Sequence, residues 1–133
     1  MEIITWDDIT YGVRRICEWA KDKNFSHVYG IPRGGLVIAV MISHALGIPF
    51  LTSIDAIPSD HNVLIVDEIV DSGETIRRLK EQHKSKSYAI ACLYKRYTCG
   101  EDVGFVVSEV NHDNWLAFPW ETSIEDMRCV YER

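Results

Sequence analysis

The sequence contains no Walker A motif and no Gly-x-Gly-x-x-Gly fingerprint, so neither of those glycine-rich cradles competes for a phosphate-binding role. Its four cysteines, Cys17, Cys92, Cys99 and Cys129, form no C-x-x-C pair or other metal-ligand spacing, and are expected to be reduced and mostly buried. The histidines (His27, His44, His61, His83 and His112) make no metal cluster and are read as structural. Basic residues are in deficit, 14 Lys and Arg against 20 Asp and Glu, and the net charge of −6 argues against a nucleic-acid surface. No apolar run approaches a membrane span, so no membrane partner is expected. The amino terminus lacks a signal peptide's basic start and apolar centre, which makes the cytoplasm the expected compartment. Repeats, linkers and low-complexity segments are also missing. At 133 residues, 47% hydrophobic and 26% charged, the chain is expected to form one domain with one core.

What is present is an alternation of strands and helices. Thr5-Trp6-Asp7-Asp8 reads as a helix start capped by Thr5, with Ile9, Val13, Ile16 and Ala20 following at helical spacing. His27 to Ile31 form a short strand, broken by Pro32-Arg33-Gly34-Gly35, after which Leu36 to Leu46 make an almost wholly apolar helix, expected to be buried and stopped by Gly47. Phe50 to Ile54, Val63 to Val66 and Tyr88 to Tyr94 read as further strands, with Phe105 to Val107 a candidate fifth. Strands spaced by helices imply right-handed crossovers and a parallel sheet covered on both faces.

The most informative stretch is Val63-Leu64-Ile65-Val66-Asp67-Glu68-Ile69-Val70-Asp71-Ser72-Gly73-Glu74-Thr75. An apolar strand ends in acids, at the edge where open α/β sheets bind ligands, and runs into a small-residue turn. Asp71 to Thr75 supply backbone N–H groups and hydroxyls that can wrap a phosphate, and a helix from Glu74 to His83 aims its N-terminus at the same point. Asp67 and Glu68 suit two vicinal sugar hydroxyls or a Mg2+ ion. The bland alternative is a buried strand with a solvated acidic turn. Pro32-Arg33-Gly34-Gly35 is a second phosphate candidate: Arg33 offers a forked donor set, and the glycines let the backbone approach an anion. Taken alone, it could equally be a plain turn.

The thirteen-residue string resembles the 5-phosphoribosyl-1-pyrophosphate (PRPP) signature of the type I phosphoribosyltransferases, two acids followed by a D-[ST]-G-x-T loop. Arg33-Gly34-Gly35-Leu36-Val37 resembles the family's pyrophosphate loop. Ile4-Thr5-Trp6-Asp7 and Asp113-Asn114-Trp115-Leu116-Ala117-Phe118-Pro119-Trp120-Glu121 are similar to the ends of its bacterial xanthine-guanine branch. The resemblance implies an α/β type I phosphoribosyltransferase fold, a mostly parallel twisted sheet flanked by helices, with a core over about residues 1–110 and a small C-terminal hood over about 111–133. It implies a homo-oligomer, dimer or tetramer, and a non-proline cis peptide between Pro32 and Arg33.

The implied activity is Mg2+-dependent transfer of ribose 5-phosphate from PRPP to a 6-oxopurine (guanine, xanthine or hypoxanthine) in purine salvage. By the resemblance Arg33, Gly34, Asp67, Glu68, Asp71, Ser72, Gly73, Glu74 and Thr75 bind PRPP, with Asp67 and Glu68 also the metal ligands. Asp71 acts in catalysis near the purine's N7. Lys95 bonds the exocyclic oxygen, Trp115 stacks on the base, and Leu116 contacts it through its backbone. Each has an ordinary alternative, a solvated strand end for Lys95 and a core position for Trp115.

Two departures bear on this expectation. Glu74 replaces a small or basic residue and brings a carboxylate near the phosphate unless its side chain turns outward. Only Asp55 to Asn62 separate Ile54 from Val63, where the family usually has a long mobile lid. A non-catalytic module that senses PRPP or a nucleotide is therefore the second reading. A hydrolase is disfavoured, because no activated nucleophile or paired His base accompanies the acids.

Overall fold

The computed structural model describes residues 1–56, 59–111 and 113–121, so Cys129, His112 and most of the expected hood lie outside the described residues. Strand β1 (Glu2–Ile3) leads into helix α1 (Trp6–Ala20), followed by β2 (His27–Gly30), α2 (Gly34–Leu46) and β3 (Phe50–Leu51). A 3-10 turn (Ile54–Ala56) precedes β4 (Asn62–Val70), α3 (Glu74–Gln82), β5 (Ser87–Arg96), β6 (Phe105–Val110) and β7 (Leu116–Ala117). The main sheet has the order β3-β2-β4-β5-β6, with every pairing parallel. No helix among the described residues is long and apolar enough to cross a membrane.

Alternation along β4 divides the core in two, because successive side chains leave a strand on opposite faces. Leu64 and Val66 pack beneath α1 and α2 with Ile9, Ile16, Ile38 and Ile42, whereas Val63 and Ile65 face α3 through Ile76 and Leu79. Helix α1 begins as its sequence indicates: the Asp8 N–H donates to Thr5 Oγ1 at 3.1 Å and the Thr5 N–H to Asp8 Oδ2 at 2.9 Å. This reciprocal pair satisfies two N–H groups that the first helical turn leaves without partners.

Three expectations need correction. Helix α2 is only half covered: Gly35, Ile38, Ala39 and Ile42 face the sheet, while Leu36 and Val40 are 37% and 45% exposed. A single layer of helix on sheet buries one stripe, whatever the outer residues are. Strand β3 stops at Leu51 instead of reaching Ile54, since its partner β2 turns away after Gly30. Strand β4 runs on to Val70, so Asp67 and Glu68 lie inside it and not in an exit loop. The ladder continues past the acids because β5 stays alongside, pairing Asp67 with Cys92, Ile69 with Tyr94 and Val70 with Lys95. Lys95 stands one residue before the end of β5 and is half buried.

Sequence patterning gives no sign of the small second sheet. In it β1 and β7 pair in parallel, Glu2 with Leu116 and Ile3 with Ala117, and the Ile4 N–H donates to the Ala117 carbonyl at 2.9 Å. Trp6 meets Trp120 edge-on with ring centroids 6.0 Å apart, and Phe118 stacks on Trp120 at 5.2 Å. The chain's start thereby anchors the segment that follows β6. Thr5→Ala removes the α1 cap and should cost about 1 kcal/mol. Thermal unfolding should show a midpoint lower by about 4 °C; an unchanged midpoint would mean that the cap contributes nothing.

Candidate functional site

The parallel strands end at one edge of the sheet, and the chemistry-bearing residues gather there. After β2 the chain passes through Ile31, whose N–H donates to the Val66 carbonyl at 2.9 Å, into a turn with a cis peptide between Pro32 and Arg33. Arg33 precedes α2 with no side-chain capping bond of its own. The Glu68 carboxylate lies directly over Gly34, where a Cβ would displace it. The pyrophosphate-loop candidate and the acidic pair are therefore in contact.

Asp67 and Glu68 are half buried within the second half of the central strand. Burial pushes the Asp67 carboxyl up to about 7, against a hydrogen bond from the Glu68 N–H at 2.8 Å, and the neighbouring Glu68 charge raises it further. Burial likewise raises Glu68 to about 7, helped by Glu121 and opposed by a hydrogen bond with Trp120 and by the Arg33 charge. Glu68 Oε2 is buried with no hydrogen-bond partner. Two crowded carboxylates with an unpartnered oxygen fit a divalent cation, whose charge would offset both desolvation and repulsion. Among the described residues no group of three or more His, Cys, Asp or Glu could hold a metal. The remaining ligands would have to be phosphate oxygens or water.

Asp71 to Thr75, with Asp67, line a cavity of about 110 Å³ at the start of α3. Gly73 has φ 86°, a backbone state that disfavours any Cβ, and a Cβ would also stand 2.9 Å from Cys99 Sγ. Asp71, Ser72, Glu74 and Thr75 are exposed, so their hydroxyls and the α3 N-terminus are open to a ligand. Glu74 turns onto its own helix, ion-pairing closely with Arg77 and at 3.8 Å with Arg78. Glu74 lines the cavity, and this pairing offsets part of the charge that its sequence position brings there.

The other expected residues are more dispersed. Lys95 stands beside Val70 in the ladder, one residue before Asp71. Trp115 is 66% exposed and Leu116 is buried, and neither lines the Asp71–Thr75 cavity. A second cavity of about 420 Å³ is lined by Arg33, Gly34, Val37, Glu68, Trp120 and Glu121, bringing the later aromatic of the W-L-A-F-P-W stretch to the site.

Sequence reading missed Arg96. It is 6% exposed, its Nε lies 3.4 Å from Asp71 Oδ1, and its Nη1 donates to the carbonyls of Asn111 and Asn114. A Lys-Arg pair looks like a solvated strand end. The available signal was period two, because carrying the β5 alternation past Lys95 turns the next side chain to the opposite face.

The acidic pair generates a stability prediction. Carboxyls whose folded pKa is raised from the ordinary range, about 4, to about 7 impose no penalty on folding at low pH, a growing one between these values, and the full one above pH 7. Without metal, Asp67→Asn with Glu68→Gln should melt several degrees above the unmodified protein at pH 8, and the gain should vanish near pH 4. An equal gain at both pH values would contradict the assigned burial.

Comparisons with known proteins bear on the family and the fold. The Phosphoribosyl transferase domain family matches residues 52–129, more than half of the chain. The chain is 28% identical over 142 residues to a xanthine-guanine phosphoribosyltransferase of Vibrio parahaemolyticus, covering 92% of this chain and 90% of the relative. The crystal structure of a purine phosphoribosyltransferase from Pyrococcus horikoshii superposes with a TM-score of 0.77 at 28% identity, covering 90% and 93% of the two chains. A xanthine-guanine-hypoxanthine phosphoribosyltransferase of Helicobacter pylori shares the fold at a TM-score of 0.80 and 16% identity, covering 96% of this chain and 97% of its own. The parallel sheet with its acidic strand end, the glycine-bearing loop before α3 and the matched span lead to one assignment: this chain belongs to the phosphoribosyl transferase family.

Proposed function

We propose that this protein transfers ribose 5-phosphate from PRPP to a 6-oxopurine, in a Mg2+-dependent reaction that yields a nucleoside monophosphate and pyrophosphate. The observation that carries the reading is the gathering of Arg33, Asp67, Glu68 and the Asp71–Thr75 loop at the ends of the adjacent strands β2 and β4. The names of the Vibrio and Helicobacter relatives support the choice of base.

In this reading the Ser72 and Thr75 hydroxyls and the α3 N-terminus hold the 5′-phosphate. Asp67 and Glu68 accept bonds from the 2′- and 3′-hydroxyls or hold the metal, and Arg33 donates to the pyrophosphate. Gripping both ends of PRPP fixes the anomeric carbon in line for attack. The purine N9 lone pair forms the new bond to that carbon as its bond to the pyrophosphate oxygen breaks, the electron pair leaving with pyrophosphate. Asp71 accepts the proton shed by the purine or, left ionised, stabilises positive charge on the reacting groups. A bound Mg2+ ion supplies positive charge to the leaving oxygens.

Lys95 carries only donors and selects a base with a 6-oxo acceptor. Nucleotide formation assayed with guanine, xanthine, hypoxanthine, adenine and orotate should favour the first three. Lys95→Ala should erase the preference over adenine. Adenine as best substrate would refute the role of Lys95.

One observation favours the second reading, a sensor of PRPP or a nucleotide on the same scaffold. In the sequence only the eight residues 55 to 62 separate Ile54 from Val63, where a long lid is expected. A lid excludes water and completes the transition-state environment, so its lack falls on turnover more than on ground-state binding. Transfer should be slow, or accompanied by PRPP hydrolysis, beside a long-lid relative assayed in parallel. Equal turnover without hydrolysis would show that another segment or a partner subunit closes the site. No nucleotide with any base, despite tight PRPP binding, would establish the sensor.

A further inference from the structure

We infer that Arg96 is a positioning residue that couples the phosphate loop to the base-presenting loop, so that PRPP and the base strengthen each other's binding. The inference rests on the transferase reading and concerns a contact that the reading does not use.

Arg96 ends β5 opposite Val110 of β6, beneath the turn that leads to Trp115 and Leu116. Its Nη1 donates to the Asn111 carbonyl at 2.7 Å and to the Asn114 carbonyl, while the Asn114 N–H donates to the same Asn111 carbonyl at 3.2 Å. The Asn111 and Asn114 carbonyls thus converge on one guanidinium nitrogen. On the other side Nε lies 3.4 Å from Asp71 Oδ1 but has no hydrogen-bond partner. A guanidinium that is only 6% exposed cannot replace these contacts with water, and an unfilled buried donor is costly.

The planar fork converts these contacts into coupling. Nε and Nη1 are fixed relative to one another, so a guanidinium drawn toward Asp71 at Nε must shift the Nη1 that holds the Asn111 and Asn114 carbonyls. Ribose 5-phosphate settling against the Asp71 loop therefore biases the position of the loop that carries Trp115. A base held by that loop biases Asp71 in return, by the same factor, because linkage between two binding sites is reciprocal. A lysine would carry the charge but not the fork. It could reach Asp71 or the carbonyls, not both in fixed relation.

The test is calorimetry of PRPP with Mg2+ in the presence and absence of saturating 9-deazaguanine, which has carbon where the attacking nitrogen would be. The unmodified protein should bind PRPP at least about fivefold more tightly with the analogue present. In both Arg96→Lys and Arg96→Gln that factor should fall below about twofold, while affinity for PRPP alone changes by less than about threefold, since the loop, Arg33 and the acids are intact. A variant that keeps the full factor, even with a lowered melting temperature, shows a merely structural role and overturns the inference. So does a missing factor in the unmodified protein that still makes nucleotide, a result that leaves the transferase reading standing. Failure to bind PRPP and to form nucleotide with any base removes both. If Arg96→Gln does not fold, Arg96→Lys decides.

Discussion

Two carboxylates inside a central sheet strand are the constraint around which the site is organised. β4 has β2 on one side and β5 on the other, and its apolar half from Val63 to Val66 fills the core on both faces. Continuing that strand through Asp67 and Glu68 leaves both acids short of water and close to each other, and both pKa values rise to about 7. Such a pair is unfavourable for the empty protein and favourable for a cationic or hydroxyl-rich ligand. The neighbours accommodate it: Gly34 vacates the space that Glu68 occupies, and Arg33 and Trp120 partly offset its charge.

The same strand sets the rest of the geometry through register. With Val70 opposite Lys95, the next residues along, Asp71 and Arg96, fall within ion-pair distance, and Arg96 then reaches the turn before Trp115. The order of groups across the site, from Arg33 through the acids and the Asp71–Thr75 loop to Lys95, follows from parallel strands side by side in one sheet. The pairing of β1 with β7 secures the far side by tying the residues that precede α1 to the chain after Trp115.

Much of this was legible in the sequence, and the reason is that the informative signals are local. Thr5 and Asp8 form the cap that their three-residue spacing indicates, and the β-branched run before Asp67 forms the buried strand. The turn Asp71 to Thr75 opens a helix where its composition places one. What stayed hidden depends on partners distant in the chain. Whether β4 stops at Val66 or continues to Val70 is decided by β5, which pairs alongside it. The outer face of α2 is as apolar as its inner face, so composition could not tell which stripe would remain exposed. Arg96 looked solvated because nothing local reveals that Asn111, Asn114 and Asp71 surround it.

The claim that the end of β4 is a charge trap for a metal-bound sugar phosphate can be read directly from the carboxyl groups. Carbon-13 NMR of the Asp67 and Glu68 side-chain carboxyls, followed against pH, should show the pair titrating with apparent values near 7 in the metal-free protein. Adding Mg2+ and PRPP together should move both titrations well below that range, since bound positive charge and donated hydrogen bonds favour the ionised form. Titration of both groups near the ordinary value of about 4, or curves that Mg2+ and PRPP leave unchanged, would contradict the account.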